Sequence, residues 1–402
     1  MILTRLNLPT ILVRELIDYP TPLTLSYFWS FGSLAGIFLG VQLLTGIFLA
    51  MHYTPHVTLA FSSVEHIMRD VEYGWLLRYI HSNGASFFFF VVYMHMARGL
   101  FFCSYLPPKQ YLWSSGIAIY GLMMATAFLG YVLPWGQMSF WAATVITNII
   151  TALPFGDGGE SFAIWLWGGF SVDNPTLNRF YSLHYLLPFV ISALAIIHIF
   201  LLHEDGSTDP SFRTNDVDVI SFYPYFVVKD LVGLFIIFTC FGLFVFFSPN
   251  FLGHPDNYVE ANALVTPKHI VPEWYFLPFY GLLRAIPNKY LGIAFMFGSL
   301  LILFKLPSLG FEGKKNYYNS SGFWTYNILV WYRFLTIIFF VNFIMLGWLG
   351  SQPVEPIFVL YGLSCTGIYF FYFVIIWWLY KKDKQYWTQM NAAWLTVNIK
   401  RN

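Results

Sequence analysis

Long, uncharged apolar stretches follow one another along almost the whole chain. A helix rises about 1.5 Å per residue, so about 20 apolar residues cross a bilayer core about 30 Å thick. Lipid offers the backbone no hydrogen-bond partner, which leaves the helix as the form for such stretches. Eight segments qualify and predict eight transmembrane helices, called spans one to eight: Tyr27–Met51, Arg78–Arg98, Trp113–Leu133, Phe180–Leu202, Leu231–Phe247, Tyr290–Phe304, Arg333–Val354 and Pro356–Tyr380.

Two further apolar stretches are predicted to lie along the membrane surface. Residues 134–136, Pro-Trp-Gly, end the third span, and Phe140–Leu153 follows as a short helix. Leu264–Leu283, between spans five and six, carries three prolines and is predicted to be a similar interfacial structure. The pattern therefore predicts an all-α membrane protein with eight transmembrane helices and short interfacial helices after spans three and five.

The spans divide the chain into a few parts. Residues 27–210 hold spans one to four, predicted to form a four-helix bundle, and residues 211–380 hold spans five to eight with the loop 248–289. An N-terminal segment, 1–26, precedes them, and a tail, 381–402, follows.

Composition narrows the class of protein. Of 402 residues, 57% are hydrophobic and only 10% are charged, whereas soluble proteins carry about 25% charged residues. A soluble enzyme is excluded. The formal net charge of +1 offers no basic field for nucleic acid. Cys103, Cys240 and Cys365 lie far apart, so neither covalent haem attachment, nor a zinc site, nor a disulfide framework is expected.

The basic residues orient the spans. With eight spans both termini lie on one side, where fourteen Lys and Arg residues fall, against six on the other, with Arg333 near a span end left uncounted. The positive-inside rule places that side in the cytoplasm or matrix. No signal peptide is expected, because Arg14, Glu15 and Asp18 stand where its apolar core would be.

Four histidines lie inside spans at a repeated interval. His81 and His95 in span two, and His184 and His198 in span four, are each fourteen residues apart. Fourteen residues rise about 21 Å and turn to within about 40° of the starting face. The two spans run in the same direction, so if they are neighbours His81 lies level with His184, and His95 with His198. Facing imidazoles suit two non-covalent haems, and hence an electron path across the membrane.

Glycines repeat the interval. Gly32 and Gly46 in span one, and Gly116 and Gly130 in span three, are also fourteen apart. Glycine costs a helix about 1 kcal/mol, and the absence of a Cβ lets a flat porphyrin approach the backbone closely. We therefore predict haem-facing notches. Such notches are also common at plain helix contacts, but the shared interval is hard to attribute to packing.

Two arginines extend the pattern. Arg78 precedes His81 by three residues, and Arg98 follows His95 by three, each on the outward side of its histidine. They are predicted to bind the haem propionates.

Several long strings identify a family. The chain from about Tyr19 to Tyr380 resembles the cytochrome b family of the quinol:cytochrome c oxidoreductases, respiratory complex III. The matching strings are GYVLPWGQM at 130–138, ATVITN at 143–148, GHPDN at 253–257 and IVPEWYFLPFY at 270–280. Photosynthetic relatives resemble it less, because they divide the spans between two chains and carry one extra residue between the fourth-span histidines.

The resemblance implies a function. His81 and His184 would bind a low-potential haem on the positive side, and His95 and His198 a high-potential haem on the negative side. Electrons from ubiquinol would cross to a second quinone site, coupled to proton translocation, and ultimately support the reduction of cytochrome c. The implied partners are a Rieske-type iron–sulfur subunit, a c-type cytochrome subunit, other complex III subunits, membrane lipids and a second copy in a homodimer. The implied location is the mitochondrial inner membrane with both termini in the matrix; a bacterial plasma membrane is the alternative.

It also implies two quinone pockets. At the quinol-oxidation pocket Glu273 would accept a proton, and the pocket residues would be Phe128, Tyr131, Ala142, Pro272, Tyr275 and Tyr280. Ala142 stands where the family usually has glycine, so its methyl group should narrow this pocket. At the quinone-reduction pocket the implied residues are His203, Asp230, Lys229, Ser207 and Ser33.

Two other classes of protein compete with this interpretation. A two-haem membrane anchor for a soluble dehydrogenase would need fewer spans and no Pro-Glu-Trp-Tyr segment. A secondary transporter could use the histidines as a proton relay, although the sequence carries no internal repeat of the kind common in transporters.

Overall fold

The computed structural model describes residue 14 and residues 17–151, 158–210, 218–309 and 326–399. Its α-helices, in chain order, are α1 Phe31–Ala50, α2 Ala60–Arg69, α3 Gly74–Phe101, α4 Gln110–Val132, α5 Gln137–Ile150, α6 Gly158–Trp167, α7 Asn174–Asp205, α8 Tyr225–Phe247, α9 Leu277–Ala285, α10 Lys289–Lys305, α11 Tyr326–Ser351 and α12 Pro356–Ile399. Short 3-10 turns cover Tyr27–Ser30, Pro255–Tyr258 and Leu306–Ser308. Most of the predicted segment 1–26, the boundary at residue 211 and the last three residues of the tail lie outside the described residues.

Eight helices within the described ranges are long and apolar enough to cross a membrane. They are α1 with the turn before it, α3, α4, α7, α8, α10 with the turn after it, α11 and α12. The prediction of an all-α fold with eight spans is confirmed. Five of these helices begin three or more residues earlier than predicted: α3 at Gly74, α4 at Gln110, α7 at Asn174, α8 at Tyr225 and α11 at Tyr326. The hydropathy of the sequence marks only the part of a helix that crosses the lipid. Helix α7 starts before that part, where Asp173 and Thr176 form a capping box.

Helices from the first four spans pack in two close pairs, α1 against α3 and α4 against α7. Helix α8 packs on the outside of α3. There the fully buried ring of Phe38 lies 6.0 Å from that of Phe87 and 5.5 Å from that of Phe241, measured between centroids. Large aromatic contacts of this kind hold the fifth span to the bundle.

In the second half of the chain, α9 lies directly on α11. A Cβ at Gly281 would stand 2.5 Å from the carbonyl oxygen of Leu346, and one at Gly350 would stand 2.3 Å from that of Leu277. Only glycine permits backbones to approach so closely. Arg284 at the end of α9 donates to the carbonyl of Gly350 at 3.3 Å, which ties the same two helices together.

The non-spanning segments differ from their predicted bounds. The predicted helix Phe140–Leu153 is α5, which begins three residues earlier, and the short helix α6 that follows it was not predicted. Of Leu264–Leu283 only the part from Leu277 is helical. Pro267 and Pro272 explain this, because proline lacks the amide hydrogen that a helix interior needs.

The start of α5 is locked to the loop after span five. The amide of Gln137 donates to the carbonyl of Val259 at 2.9 Å, and the amide of Ser139 to the side-chain oxygen of Asn257 at 2.9 Å. A Cβ at Gly136 would lie 2.4 Å from the Asn257 carbonyl oxygen. The two non-spanning regions therefore support each other.

A small β-ribbon, which the sequence did not predict, joins the N-terminal segment to the loop before α8. Strand β1, Pro20–Pro22, pairs antiparallel with β2, Val219–Ser221. The hydroxyl of Thr24 donates to the carboxylate of Asp209 at 2.7 Å beside it. These contacts bring the N-terminal segment to the end of α7.

Candidate functional site

The four span histidines meet in two pairs. The ring centroids of His81 on α3 and His184 on α7 are 6.2 Å apart, and those of His95 and His198 are 6.3 Å apart. The rings are steeply inclined, by 82° and 65°. The helical interval thus places one pair near each end of the bundle.

These separations suit one metal ion between each pair. A bond between a metal and an imidazole nitrogen is about 2.0 Å long, and the ring centroid lies about 1 Å behind that nitrogen. Two imidazoles that bind one metal from opposite sides therefore place their centroids about 6 Å apart. The donor set, two neutral nitrogens, is one that haem iron accepts.

The second nitrogen of His81 has a partner that fixes its protonation. Nδ1 of His81 lies 2.9 Å from Oγ1 of Thr45, whose hydroxyl hydrogen is donated to the Val41 carbonyl at 2.7 Å. The Thr45 oxygen therefore accepts, Nδ1 carries the hydrogen, and the lone pair is left on Nε2. A histidine that binds a metal through Nε2 needs this tautomer.

The same logic applies on α7. Nδ1 of His198 lies 2.8 Å from Oγ of Ser115, which donates to the Leu112 carbonyl at 2.8 Å. Nδ1 of His184 donates to the main-chain carbonyl of Thr126 at 2.7 Å. Three of the four histidines are therefore held with Nε2 unprotonated.

His95 differs. Its Nδ1 lies 3.1 Å from a guanidinium nitrogen of Arg98, which can only donate. Arg98 also stacks over the ring of Trp29, 5.2 Å from its centroid. Nε of Arg98 and Nε1 of Trp29 are buried and find no hydrogen-bond partner among the described residues. These buried donors fit an anionic group such as a haem propionate.

Each predicted glycine faces one imidazole. A Cβ at Gly46, Gly32 or Gly116 would lie 3.1 Å from Cε1 of His81, His95 or His198, respectively, and a Cβ at Gly130 would lie 2.3 Å from Cε1 of His184. The glycines therefore make room for the ligand rings themselves, which is more specific than the predicted contact with a porphyrin.

Thr45 and Ser115 were missed by the sequence analysis, although the sequence carries a signal for both. Each hydroxyl residue immediately precedes the glycine, Gly46 or Gly116, that packs against the same histidine. A hydroxyl-glycine pair that repeats on two spans could have indicated a shared role.

A cavity of about 520 Å³ joins the first histidine pair to the loop after span five. Pockets for small molecules measure about 300–1,000 Å³. At one end the cavity is lined by Arg78, His81, Gly130 and His184, and at the other by Tyr131, Glu273 and Tyr275. Gln42 donates to the His81 carbonyl at 3.0 Å, and its own buried side-chain oxygen has no partner within the described ranges.

Glu273 is an ionisable group in the lining of this cavity, as are the neighbouring Tyr131 and Tyr275 side chains. Burial raises the pKa of Glu273 to about 7, and the interaction with the Tyr131 side chain offsets only part of that effect. A carboxyl group with a pKa near neutrality can exchange protons at physiological pH.

The other predicted quinol-pocket residues are not part of the lining of this cavity. Phe128 packs against Phe180 with centroids 5.8 Å apart, and the Tyr280 ring lies 5.2 Å from the Arg284 guanidinium. Ala142 on α5 is buried, and Pro272 directly precedes Glu273.

The predicted quinone-reduction residues lie at the opposite end of the bundle. The hydroxyl of Ser33 donates to the carboxylate of Asp230 at 2.7 Å, which brings spans one and five together. The ammonium of Lys229 donates to the Leu25 carbonyl at 2.5 Å. Ser207 lies in the loop just after α7.

His203, near the end of α7, has a neighbour that the sequence did not indicate. The ring of Tyr19 stacks on its imidazole, with centroids 4.3 Å apart and planes inclined by 17°. The Tyr19 hydroxyl donates to the Leu202 carbonyl at 3.3 Å. No sequence signal could have found a contact across 184 residues, because it depends on the β-ribbon.

Comparisons with known proteins agree with this geometry. A family model described as cytochrome b/b6/petB matches residues 16–206, and one described as cytochrome b (C-terminal)/b6/petD matches residues 260–370. The chain is 56% identical to cytochrome b of Chondrus crispus over 90% of this chain and 92% of the relative. It is 58% identical to that of Phytophthora megasperma, over 87% and 88%.

A solved structure, described as hyperthermophilic respiratory Complex III, is similar as well. Its chain aligns with a TM-score of 0.85 and 31% identity, over 95% of this chain and 98% of that one. The paired histidines, the matching family models and the high identity over nearly the full length lead to one conclusion: the chain belongs to the cytochrome b family.

Proposed function

We propose that the chain is the cytochrome b subunit of respiratory complex III and holds two non-covalent b haems, which supply one-electron carriers between a quinol-oxidation and a quinone-reduction site. The observation that supports this most directly is the two imidazole pairs, 6.2 and 6.3 Å apart, each ring backed by a glycine. The overall reaction takes electrons from ubiquinol and ultimately supports the reduction of cytochrome c, coupled to proton translocation.

The proposed setting follows from the relatives. Cytochromes b of Chondrus crispus, Phytophthora megasperma and Solanum tuberosum are eukaryotic proteins, which favours the mitochondrial inner membrane, and the excess of basic residues puts both termini in the matrix. A Rieske-type iron–sulfur subunit, a c-type cytochrome subunit and a second copy of the chain complete the proposed complex.

At the quinol-oxidation pocket, we assign proton acceptance to Glu273. The ionised carboxylate lies in the cavity that reaches the first histidine pair, so a quinol bound there can lose a proton to Glu273. Tyr131 lines the same cavity, and its interaction with Glu273 favours the ionised form of the carboxyl group. Arg78, at the histidine end, supplies positive charge for a haem propionate.

At the quinone-reduction pocket, we assign proton supply to His203 and Asp230. Ser33 holds the Asp230 carboxylate, and Tyr19 covers one face of the His203 ring. Lys229 and Ser207 would complete the polar lining. Ionisable side chains at a span end have access to both the membrane interior and water, as uptake of protons requires.

A reduced-minus-oxidised absorbance spectrum of the purified protein tests the proposal. We expect the bands of b-type haem, titrating at two distinct midpoint potentials. A protein without these bands would leave only the transporter alternative. A single potential together with one quinone site would instead favour the dehydrogenase anchor.

Thr45→Val is expected to weaken haem binding at the first pair. Valine matches the shape of threonine but leaves Nδ1 of His81 without its acceptor, and loss of such a supporting partner typically lowers affinity for a bound metal about 10- to 100-fold. The haem content after purification in the presence of a haem-scavenging protein measures the effect. Thr45→Ser keeps the hydroxyl and is the matched control; equal haem loss in both variants would contradict the role.

A further inference from the structure

One face of α3 holds the segment that carries Glu273. Nε1 of Trp274 donates to the hydroxyl of Ser86 at 3.1 Å. The ring of Tyr275 stacks on that of Phe89, with centroids 4.0 Å apart and planes inclined by only 3°. The hydroxyl of Tyr93 donates to the main-chain carbonyl of Tyr275. Ser86, Phe89 and Tyr93 follow helical spacing, so a single face of α3 makes all three contacts.

The Tyr275 carbonyl needs this donor. Helix α9 begins only at Leu277, and the amide of Phe279 bonds to the Phe276 carbonyl at 3.1 Å. Tyr275 is only 4% exposed, so water has little access to its carbonyl. A buried carbonyl without a donor is strongly unfavourable, and the Tyr93 hydroxyl therefore determines where this main chain settles.

Tyr120 on α4 completes the arrangement. Its hydroxyl donates to that of Tyr93 at 3.0 Å, so the single hydroxyl hydrogen of Tyr93 is directed to the Tyr275 carbonyl. Tyr120 is 1% exposed. Both helices that carry this relay also carry parts of the histidine site: α3 bears His81, and α4 bears Gly130.

The loop-holding face of α3 and its histidine face are distinct. At about 100° per residue, Ser86, Phe89 and Tyr93 cluster roughly 130° around the helix from the direction shared by His81 and His95. A single helix of 28 residues therefore fixes the histidines on one side and the Glu273 segment on the other.

We propose that Tyr93, oriented by Tyr120, is a positioning residue for quinol oxidation. Its hydroxyl fixes the main chain two residues beyond Glu273, and so sets where the carboxylate stands in the cavity relative to bound quinol. This inference rests on the proposed function and adds to it a hydrogen-bonded relay, Tyr120 to Tyr93 to the Tyr275 carbonyl, that controls the fit of the quinol.

Tyr93→Phe tests the relay in the assembled complex. The variant keeps the aromatic ring, which packs 5.5 Å from that of Phe343, and removes only the hydroxyl. With decylubiquinol as substrate and cytochrome c as acceptor, we expect the KM for decylubiquinol to rise about tenfold. Both haem spectra and both midpoint potentials should stay as in the wild type. Tyr120→Phe leaves the Tyr93 donor in place and should raise KM less.

Tyr332→Phe is the matched control. It removes a buried hydroxyl that also donates to a carbonyl of α3, that of Leu100, about two turns beyond Tyr93 and outside the contacts with the Glu273 segment. Its KM should equal that of the wild type. Should Tyr93→Phe fail to accumulate, Ser86→Ala removes the acceptor of Trp274 on the same face and should raise KM in the same direction.

The outcomes separate the two proposals. A wild-type complex that oxidises decylubiquinol while Tyr93→Phe keeps a wild-type KM overturns the positioning role alone. A rise in KM that Tyr332→Phe reproduces also overturns it, since the effect would then be general loosening of α3. A wild-type complex without b-haem bands overturns the proposed function itself.

Discussion

The Gly130→Ala variant is expected to lose the haem that we propose binds between His81 and His184. The new Cβ would stand 2.3 Å from Cε1 and 2.8 Å from Nδ1 of His184, closer than atoms of this kind can approach. The ring cannot simply retreat, because its Nδ1 is held by the Thr126 carbonyl at 2.7 Å. Overpacking of this kind costs about 1–3 kcal/mol, which corresponds to roughly a 5- to 150-fold loss of affinity.

The haem-to-protein ratio of the purified variant measures this loss. We expect a ratio near one for Gly130→Ala, against two for the wild type. Gly121→Ala on the same helix is the matched control, because a Cβ there meets nothing within 4 Å. Gly116→Ala, with its contact at 3.1 Å to His198, should fall between them. Two haems with unchanged potentials in Gly130→Ala would refute the assigned packing role.

Glu273→Gln is expected to slow quinol oxidation about 100-fold, the lower end of what a positioned proton acceptor contributes. Glutamine has the same shape and a similar polarity, but it cannot take up a proton. Both haems should remain in place. Glu260→Gln, an exposed carboxylate in the same loop, is the control and should turn over as the wild type does.

The rate of quinol oxidation should also depend on pH in a defined direction. Burial raises the pKa of Glu273 to about 7, so the carboxyl group is protonated below that pH and becomes an acceptor above it. Wild-type quinol oxidation should therefore increase as the pH rises from about 6 to about 8. Glu273→Gln should lose this increase; a Gln variant that retains it would assign the titration to another group.

The spans and the histidine pairs could be predicted because both depend on local geometry. A bilayer demands a fixed helix length, and the rise and turn of a helix decide which residues share a face. His81 and His184 meet without any information about loops. The ends of α3 and α7 could not be placed as well, since their hydrogen-bond ladders continue beyond the apolar stretch.

The role of the four glycines at the histidine interval could be predicted only in part. Their interval indicated that something near the histidines needs room, but an interval cannot say which group occupies it. Only packed helices place Gly46 against the His81 ring. The role of these residues in haem binding stays a prediction.

Contacts across long stretches of chain were beyond sequence reasoning. Tyr19 on His203, and Asn257 at the start of α5, join segments more than a hundred residues apart. Neither contact follows a helical or strand period, so no pattern along the chain marks it. The loop motifs indicated a family. The hydrogen bonds by which they join the start of α5 to the loop after span five became apparent only from the fold.

The ribbon between Pro20–Pro22 and Val219–Ser221 has a practical consequence. Tyr19, the residue directly before β1, stacks on the His203 ring, so the pairing of the two strands helps to hold this ring in place. Substitutions in either strand of the ribbon would therefore change the packing on His203, a residue of the proposed quinone-reduction pocket, without altering any residue assigned to that pocket.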